Sequence, residues 1–282
     1  MTSSDLNAPL LLERYRPDTL IARGGSASVY RARDVLLGRD VAVKVFLAGS
    51  EESLDRARDE LRVLAGIGGH HGIVSVLDAG IDESSPDDPR PFLVMELVTG
   101  RSVRDLIDAA DIPHAVVGGI AFEIAEALEY VHRRNIVHRD VSPANILLVD
   151  YGSEFSRPRA RLTDFGLAVD GETFQPPEDG FVDGTVPYLS PEQVLAERLT
   201  PASDIFSLGL VLIECFSGQR LFPGSDAVAA MSRVGAEPEM PKAVPKPWRS
   251  LLAAMIREDP AKRPTAVEVL RDVRQILRRT SK

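Results

Sequence analysis

Three polar side chains in the middle of the chain have the types and the spacing of a metal site. Asp140 and Asn145 lie five residues apart, and Asp164 follows later, in front of Phe165 and Gly166. Oxygen ligands, without cysteine or histidine, suit a hard cation such as Mg²⁺. All three adjoin short apolar runs, so we expect them at the ends of buried strands, facing a shared cleft. The alternative is three solvated surface groups.

A lysine ends another apolar run. Lys44 follows three strand-like residues and needs an anionic partner once it is buried. The next segment has a helical period over Ser53–Ala65 and carries Glu60 on its inward stripe. Glu51 and Glu52 compete for this role, but both fall at the start of the helix, where the dipole alone favours acids.

A glycine pair precedes this lysine. Gly24 and Gly25 lie between two strand-like runs, where small residues let the backbone approach a phosphate closely. Taken alone, the pair indicates no more than a hairpin turn.

The composition limits what these groups can do. The 282 residues are 44% hydrophobic and 27% charged with a net charge of −9, which suits a soluble globular protein and argues against nucleic-acid binding. The single cysteine, Cys215, lies in an apolar run and cannot form an internal disulfide. Residues 1–12 lack the features of a signal peptide, and no apolar stretch approaches the roughly 20 residues that span a bilayer. We therefore expect a cytoplasmic chain, or the cytoplasmic portion of a longer membrane protein.

The hydrophobic pattern divides into two parts. In the first third, runs rich in β-branched and aromatic residues predict a small antiparallel sheet, formed by Thr19–Ala22, Ser28–Arg31, Val41–Phe46, Val74–Leu77 and Phe92–Met95. After Gly100 the pattern turns helical. It predicts a long helix through Ile120 and Val131, and further helices over Ile205–Phe216, Trp248–Arg257 and Ala266–Leu277.

Taken in order, the motifs resemble the eukaryotic-like (Hanks-type) protein kinase family. They are a small-residue loop, Lys44 after Val-Ala-Val, a helical Glu60, His138-Arg139-Asp140 with Asn145, Asp164-Phe165-Gly166, and Ser190-Pro191-Glu192. The resemblance runs from about Tyr15 to Leu277, and segment 184–193 is similar to bacterial serine/threonine kinases. It implies an α+β, two-lobed protein-kinase fold. Residues 1–98 would form a small antiparallel β-sheet lobe with one helix, and residues 99–282 a larger, mainly helical lobe.

The resemblance also implies a reaction: transfer of the γ-phosphate of ATP to serine or threonine hydroxyls of protein substrates, with Mg²⁺ or alternatively Mn²⁺. Asp140 would accept or orient the proton of the hydroxyl, and Asn145 and Asp164 would hold the metal ions. Lys44, held by Glu60, would contact the α- and β-phosphates. Autophosphorylation in a homodimer is expected as well.

Eight positions would surround the nucleotide by the same resemblance: Ala22, Gly24, Val29, Ala42, Met95, Glu96, Val98 and Leu147. Met95 would be the gatekeeper, and the backbone of Glu96 and Val98 would bond the adenine. The apolar members could equally be ordinary core residues.

Scaffold and regulatory roles follow from the family as well. The resemblance places His138 in the core and pairs Glu192 with Arg263. It also implies that Asp204 anchors the catalytic loop around Asp140. A small-molecule phosphotransferase, which is a competing hypothesis, generally lacks this late set.

The family's activation segment, which here would run from Asp164 to Glu192, supplies the regulatory candidates. Arg139 would bind a phosphate there, and Thr173 is the candidate phosphorylation site, with nearby acids as alternative partners of Arg139. Thr185 would touch Asp140 and support the serine/threonine assignment.

Two departures weaken the resemblance. Ala22 and Ala27 replace the first and third glycines of the usual loop, leaving Gly24. Ser142 stands where serine/threonine kinases usually carry a lysine that neutralises the γ-phosphate. Both departures favour a second hypothesis, in which the chain is a pseudokinase that binds nucleotide and acts as a signalling scaffold.

Overall fold

The computed structural model describes residues 11, 13–24, 27–46, 67, 69–82, 89–110, 112–150, 157–165, 186–224, 230–235 and 238–280. They fall into two units, the first drawn from Met1–Gly69 and Val74–Val98 and the second from His70–Ile73 and Thr99–Lys282. Among the described helices, none is both long and apolar enough to cross a membrane. The predicted helix Ser53–Ala65 with Glu60 lies outside the described residues.

The first unit contains an antiparallel sheet of five strands in the order β1-β2-β3-β5-β4. The strands are longer than the apolar runs that predicted them, and the added residues include the buried Tyr15, Ala32 and Asp34 as well as exposed ones. The fourth strand begins at Val76, two residues after its predicted start at Val74. The bounds of the five strands are β1 Tyr15–Arg23, β2 Ala27–Asp34, β3 Arg39–Phe46, β4 Val76–Asp82 and β5 Arg90–Glu96. This sheet, with the helical second unit, confirms the predicted α+β class.

The core of the first unit lies on one face of this sheet. Val41 and Val43 of β3 are fully buried and alternate with residues of the other face, as a period of two requires. They pack with Tyr15, Phe92 and Val94 in one cluster. Each such side chain contributes about 1.5–3 kcal/mol on burial, so the central strand is fixed by its neighbours.

The turn between β2 and β3 is organised by one buried carboxylate. Asp34 accepts hydrogen bonds from the backbone N–H groups of Leu36, at 3.2 Å, and Leu37, at 3.1 Å. The Arg14 guanidinium donates to both Asp34 oxygens, at 2.9 and 2.8 Å. These bonds, that of Arg14 first, hold the pKa of Asp34 well below its usual range.

A second, smaller sheet belongs to the second unit. It has the order β6-β7-β8, with β6 Gly100–Ser102, β7 Ile146–Val149 and β8 Arg159–Leu162. Ile146 pairs with Leu162, so the two strands run antiparallel in close register. The sequence predicted strand character at Ile146–Val149 and Leu162, but it did not predict β6. Ile136 and Val137, also expected to be strand-like, lie in no strand.

The rest of the second unit is mainly helical. Its described helices are α1 Val103–Asp108, α2 His114–His132, α3 Pro191–Val194, α4 Pro201–Ser217, α5 Lys246–Met255 and α6 Ala266–Thr280. Helix α4 is buried from Ser203 to Phe216 and includes the free thiol of Cys215. A helix that is buried on all sides in this way lies at the centre of the core of its unit.

Two close helix contacts around this core depend on glycine, which has no side chain. A Cβ added at Gly118 of α2 would lie 2.5 Å from Leu277 Cδ2 of α6. A Cβ at Gly209 of α4 would lie 2.8 Å from Ile256 Cγ2 at the end of α5. Glycine at both positions therefore allows the helices to approach closely.

Candidate active site

The backbone of the loop that follows α2 is held by a carboxylate from α4. Asp204, in the first turn of α4, accepts the N–H groups of His138 and Arg139, each at 2.8 Å. The Nε2 atom of His132, the last residue of α2, lies 2.8 Å from Asp204 Oδ2. Burial alone would raise the pKa of Asp204, but the hydrogen bonds from the His132 side chain and from the His138 backbone outweigh it and lower the pKa. The predicted anchoring of this loop by Asp204 is confirmed.

His138 is fully buried and supports the backbone of the loop from inside. Its Nδ1 lies 3.2 Å from the backbone N of Asp140, and its Nε2 lies 3.1 Å from the Thr163 carbonyl oxygen. The ring packs on Phe165, with centroids 4.4 Å apart. Burial lowers the pKa of His138, so the ring is neutral at pH 7 and carries its proton on Nε2. Both ring nitrogens are thus engaged in holding the backbone.

Asp140 and Asn145 are brought into direct contact. The Asn145 side-chain Nδ2 donates to the Asp140 carbonyl oxygen at 2.9 Å and to its carboxylate Oδ2 at 2.8 Å. A short 3₁₀ turn, Pro143–Asn145, reverses the chain between the two residues and leads into β7. Because both donors are on Nδ2, Oδ1 is the atom of Asn145 that can bind a metal.

Asp164 follows β8 and is tied to the same loop. The Thr163 N–H donates to the Asn145 carbonyl oxygen at 2.9 Å. Asp164 has a φ of 64° and Arg139 a φ of 70°, a left-handed conformation that is uncommon for residues with a Cβ. Such strain persists only where the surroundings impose it and is common at functional sites. An amide oxygen just before β7 and a carboxylate just after β8 are the kinds of donor that suit a divalent metal.

The first unit positions Lys44 by strand register. Lys44 pairs with Val29 across β2 and with Leu93 across β5. It is 6% exposed, and its Nζ lies 4.9 Å from the centroid of the Phe46 ring. A lysine buried to this degree has a defined position in the sheet. Its predicted partner Glu60 lies outside the described residues.

Four other predicted nucleotide positions lie on β3 or β5 or just after β5. Ala42 pairs with Met95, and both are 8% exposed. The Glu96 N–H donates to the Ser75 carbonyl oxygen at 3.0 Å, and the Ser75 N–H donates to Glu96 Oε1 at 2.6 Å. Val98 follows β5 and is half-buried, so this strand end has a defined path.

Ala22 and Gly24 lie at the end of β1. Ala22 pairs with Val29, and the Gly24 N–H donates to the Ala27 carbonyl oxygen at 2.8 Å. Residues Ala22, Arg23 and Gly24 are all exposed. Leu147, the remaining predicted position, is half-buried in β7 of the second unit.

A buried ion pair supports the end of the segment around Pro191. Glu192 and Arg263 form two parallel hydrogen bonds, at 2.7 and 2.9 Å. The Ser203 hydroxyl also donates to Glu192, at 2.7 Å. Burial would raise the pKa of Glu192, but the bonds and charge of Arg263 outweigh it, and the pKa is lowered. The predicted pairing of Glu192 with Arg263 is confirmed.

Sequence reasoning missed a polar cluster that joins α1, α4 and Tyr188. The Tyr188 hydroxyl donates to Glu214 of α4, and Arg104 of α1 donates both to Glu214, at 2.9 Å, and to the Tyr188 oxygen, at 3.0 Å. The signal was present, because Glu214 is a carboxylate within an apolar stretch of α4 and needs a partner once it is buried.

The backbone of Arg139 has a further support that sequence reasoning missed. The Gln193 side chain donates to the Arg139 carbonyl oxygen at 2.7 Å. Together with Asp204, this bond fixes both sides of the strained residue. The regulatory candidates Thr173 and Thr185 lie outside the described residues.

Comparisons with known proteins agree with this geometry. The family model described as "Protein kinase domain" matches residues 15–273. The chain is 33% identical over 273 residues to "Serine/threonine-protein kinases PknA" of Corynebacterium glutamicum, covering 93% of this chain and 56% of that protein. It is 36% identical over 258 residues to "Serine/threonine-protein kinase PknA" of Mycobacterium tuberculosis, covering 89% and 58%. It is 36% identical over 273 residues to "Serine/threonine-protein kinase PknL" of the same species, covering 93% and 65%. The chain thus spans less than two thirds of the length of each of these relatives.

Proposed function

This chain belongs to the protein kinase domain family, as its motifs predicted, and we propose that it transfers the γ-phosphate of ATP to serine or threonine hydroxyls of proteins. The observation that carries the proposal is the contact of Asn145 with the Asp140 carboxylate, in a loop whose backbone is bonded to buried Asp204. A carboxylate held in this way is positioned to receive a proton without reorganising.

The reacting groups have separate tasks. Asp140 orients the substrate hydroxyl and accepts its proton as the new O–P bond forms. Asn145, through Oδ1, and Asp164 hold the metal. The family uses ATP with a divalent metal ion, and we propose Mg²⁺, with Mn²⁺ as the alternative. The bound cation supplies positive charge against the phosphate oxygens.

Lys44 contacts the α- and β-phosphates, and Glu60 holds it there. Its burial at a fixed register between β2 and β5 supports this role, because the side chain has a defined position. The exposed backbone around Ala22 and Gly24 covers the phosphates. The adenine lies against Val29, Ala42, Met95 and Leu147, with the backbone of Glu96 and Val98 bonding its edge.

Regulation, location and organisation belong to the same proposal. Phosphorylation of Thr173 provides an anion for Arg139, Thr185 contacts Asp140, and autophosphorylation takes place in a homodimer. Residues 1–98 serve as the nucleotide-binding lobe, and residues 99–282 carry the catalytic loop and the activation segment. The chain works in the cytoplasm, alone or as the cytoplasmic part of a longer membrane kinase.

The second candidate is a pseudokinase, which Ser142 favours. Ser142 is 3% exposed and brings no charge to a position where the family usually has lysine. One charge-stabilising group is worth about 2.7–4 kcal/mol of barrier. The buried pair of Glu192 and Arg263 argues against a third candidate, a small-molecule phosphotransferase.

The substitution Asp140→Asn tests catalysis directly. Transfer of radiolabelled phosphate from ATP to a generic protein substrate should fall about 10²–10⁴-fold, since the variant cannot accept the proton. The thermal unfolding temperature should stay close to that of the wild type. The matched control Asp108→Asn, whose side chain is 65% exposed, should retain full activity.

The pseudokinase makes the opposite prediction. If wild type and Asp140→Asn give the same background incorporation while nucleotide binding is retained, the proposed catalytic function is wrong. Incorporation into a small metabolite without incorporation into protein would favour the third candidate.

A further inference from the structure

A short segment of the second unit is fixed against β8 by its backbone. The Leu162 N–H donates to the Gly72 carbonyl oxygen, and the Arg161 side chain donates to the Ile73 carbonyl oxygen, each at 2.8 Å. Ile73 also pairs with Leu162 as a parallel bridge. The position of the residues just before Gly72 is thereby defined.

Two adjacent histidines precede this anchor. The rings of His70 and His71 are stacked with centroids 4.7 Å apart, and His70 also lies 4.7 Å from the ring of Tyr130. The Gly72 N–H donates to His70 Nδ1 at 3.1 Å. The two imidazoles are therefore held side by side and not spread over the surface.

Helix α2 brings a carboxylate to the same place. Glu126 lies one helical turn before Tyr130, so both side chains project from one face of α2. Glu126 Oε2 lies 3.1 Å from His71 Nε2. One ligand atom from each of His70, His71 and Glu126 can be chosen so that all lie within 4.8 Å of one another.

We propose that His70, His71 and Glu126 form a binding site for a divalent transition-metal cation of the zinc class. Two imidazoles and one carboxylate are a known ligand set for zinc, and water can occupy the fourth position. Ligand atoms of a tetrahedral zinc ion are roughly 3.4 Å apart. His71 and Glu126 already have about this separation.

His70 sets the affinity. Its Nδ1 accepts the Gly72 N–H, so coordination requires the ring to turn or this hydrogen bond to be lost, at a cost of about 1 kcal/mol. The side chains of His71 and Glu126 are 57% and 35% exposed and can adjust. We expect reversible binding that is weaker than at a closed structural zinc site, and that links the segment before Gly72 to α2.

Cobalt(II) absorption provides a direct test. The untagged, EDTA-treated chain is titrated with Co²⁺ in saturating Mg²⁺, which occupies oxygen-only sites and does not compete for imidazole. The wild type should bind one Co²⁺ per chain with the visible band of a tetrahedral site, and added Zn²⁺ should abolish the band. His71→Ala and Glu126→Gln should each weaken binding at least about tenfold.

His114→Ala is the matched control. His114 is an exposed histidine on the same helix and lies against Phe216, away from the cluster. The proposal requires unchanged Co²⁺ binding in this variant. Absence of a one-to-one tetrahedral signal in the wild type, or equal affinity in wild type and His71→Ala, would show that the cluster is a surface ion pair only. The result does not depend on whether phosphoryl transfer is observed.

Discussion

The two units each contain a fully buried aspartate with a similar set of partners, Asp34 in the first unit and Asp204 in the second. Each carboxylate accepts two backbone N–H groups and pairs with a basic side chain, Arg14 for Asp34 and His132 for Asp204, and Asp34 also lies 3.5 Å from Arg39. The N–H groups on Asp34 are two and three residues away, whereas those on Asp204 are 66 and 65 residues away. The same chemistry closes a local turn in one unit and sets tertiary geometry in the other.

Because of this difference, we expect Asp34 to affect the stability of the fold alone and Asp204 to affect both stability and the position of Asp140. Asp34 shapes the turn between β2 and β3, in which Leu36 and Leu37 are exposed. Asp204 fixes the two residues immediately before Asp140. Loss of Asp34 should therefore weaken the fold, while loss of Asp204 should weaken the fold and misplace the Asp140 carboxylate.

The largest effect is expected for Asp204→Ala. The substitution leaves the N–H groups of His138 and Arg139 without their acceptor and removes the partner of His132. We expect a loss of about 3–5 kcal/mol in the free energy of unfolding, measured by urea denaturation. Phosphate transfer by the remaining folded protein should fall at least about tenfold, because a small displacement of a positioned group is costly.

Asp272→Ala on α6 is the matched control for this substitution. Asp272 is an exposed acid of the same unit, and its removal should change stability by less than about 0.5 kcal/mol. Full activity per folded molecule in Asp204→Ala would contradict the anchoring role.

A smaller and narrower effect is expected for Asp34→Ala. The variant loses the two bonds from Arg14 and the acceptor of the turn, so the thermal unfolding temperature should fall by several degrees. Activity assayed well below that temperature should match the wild type. A large loss of activity in the folded variant would remove the contrast between the two aspartates.

The smallest effect is a difference in response to acid. His138 has a lowered pKa, so the unfolded chain takes up a proton near pH 6.5 while native His138 stays neutral to lower pH. The contribution of neutral His138 to the free energy of unfolding is thus fully present above about pH 6.5 and declines as the pH falls. Asp34 has a lowered pKa, and its contribution persists until the pH falls below the usual aspartate range, near 3.9.

Amide hydrogen exchange can resolve these two responses. When the loop opens, His138 can take up a proton on Nδ1, the atom that accepts the Asp140 N–H in the closed loop. After correction for intrinsic rates, protection of the Asp140 amide should therefore decrease as the pH falls below about 6.5, while that of Leu37 should not. Parallel losses at both amides would mean that global unfolding, and not His138, governs the response.

Much of the fold could be predicted because its signals are local. The β-branched run Val41–Phe46 of β3 and the apolar run of α4 specify their elements from sequence alone. The first half of β1 was missed, because Arg16, Pro17 and Asp18 follow Tyr15 and interrupt any hydrophobic pattern there. The three residues of β6 gave no pattern, because their pairing with β7 is a tertiary contact.

The site divides in the same way. Ordered motifs located Asp140, Asn145 and Asp164, and the family resemblance anticipated the bonds of Asp204 and Glu192. The bond from Gln193 to the Arg139 carbonyl could not be predicted, because a backbone acceptor leaves no trace in residue type. The left-handed φ of Asp164 was hidden for a related reason, since strain is imposed by surroundings and not by the residue itself.

The buried thiol of Cys215 has a practical consequence. It is 6% exposed within α4, and burial raises its pKa, so the reactive thiolate forms only when the surrounding core opens. With one cysteine in the chain, the rate of alkylation reports the opening of the helix that also carries Asp204. Alkylation of Cys215 therefore measures how often the core around α4, and with it the site of Asp204, opens.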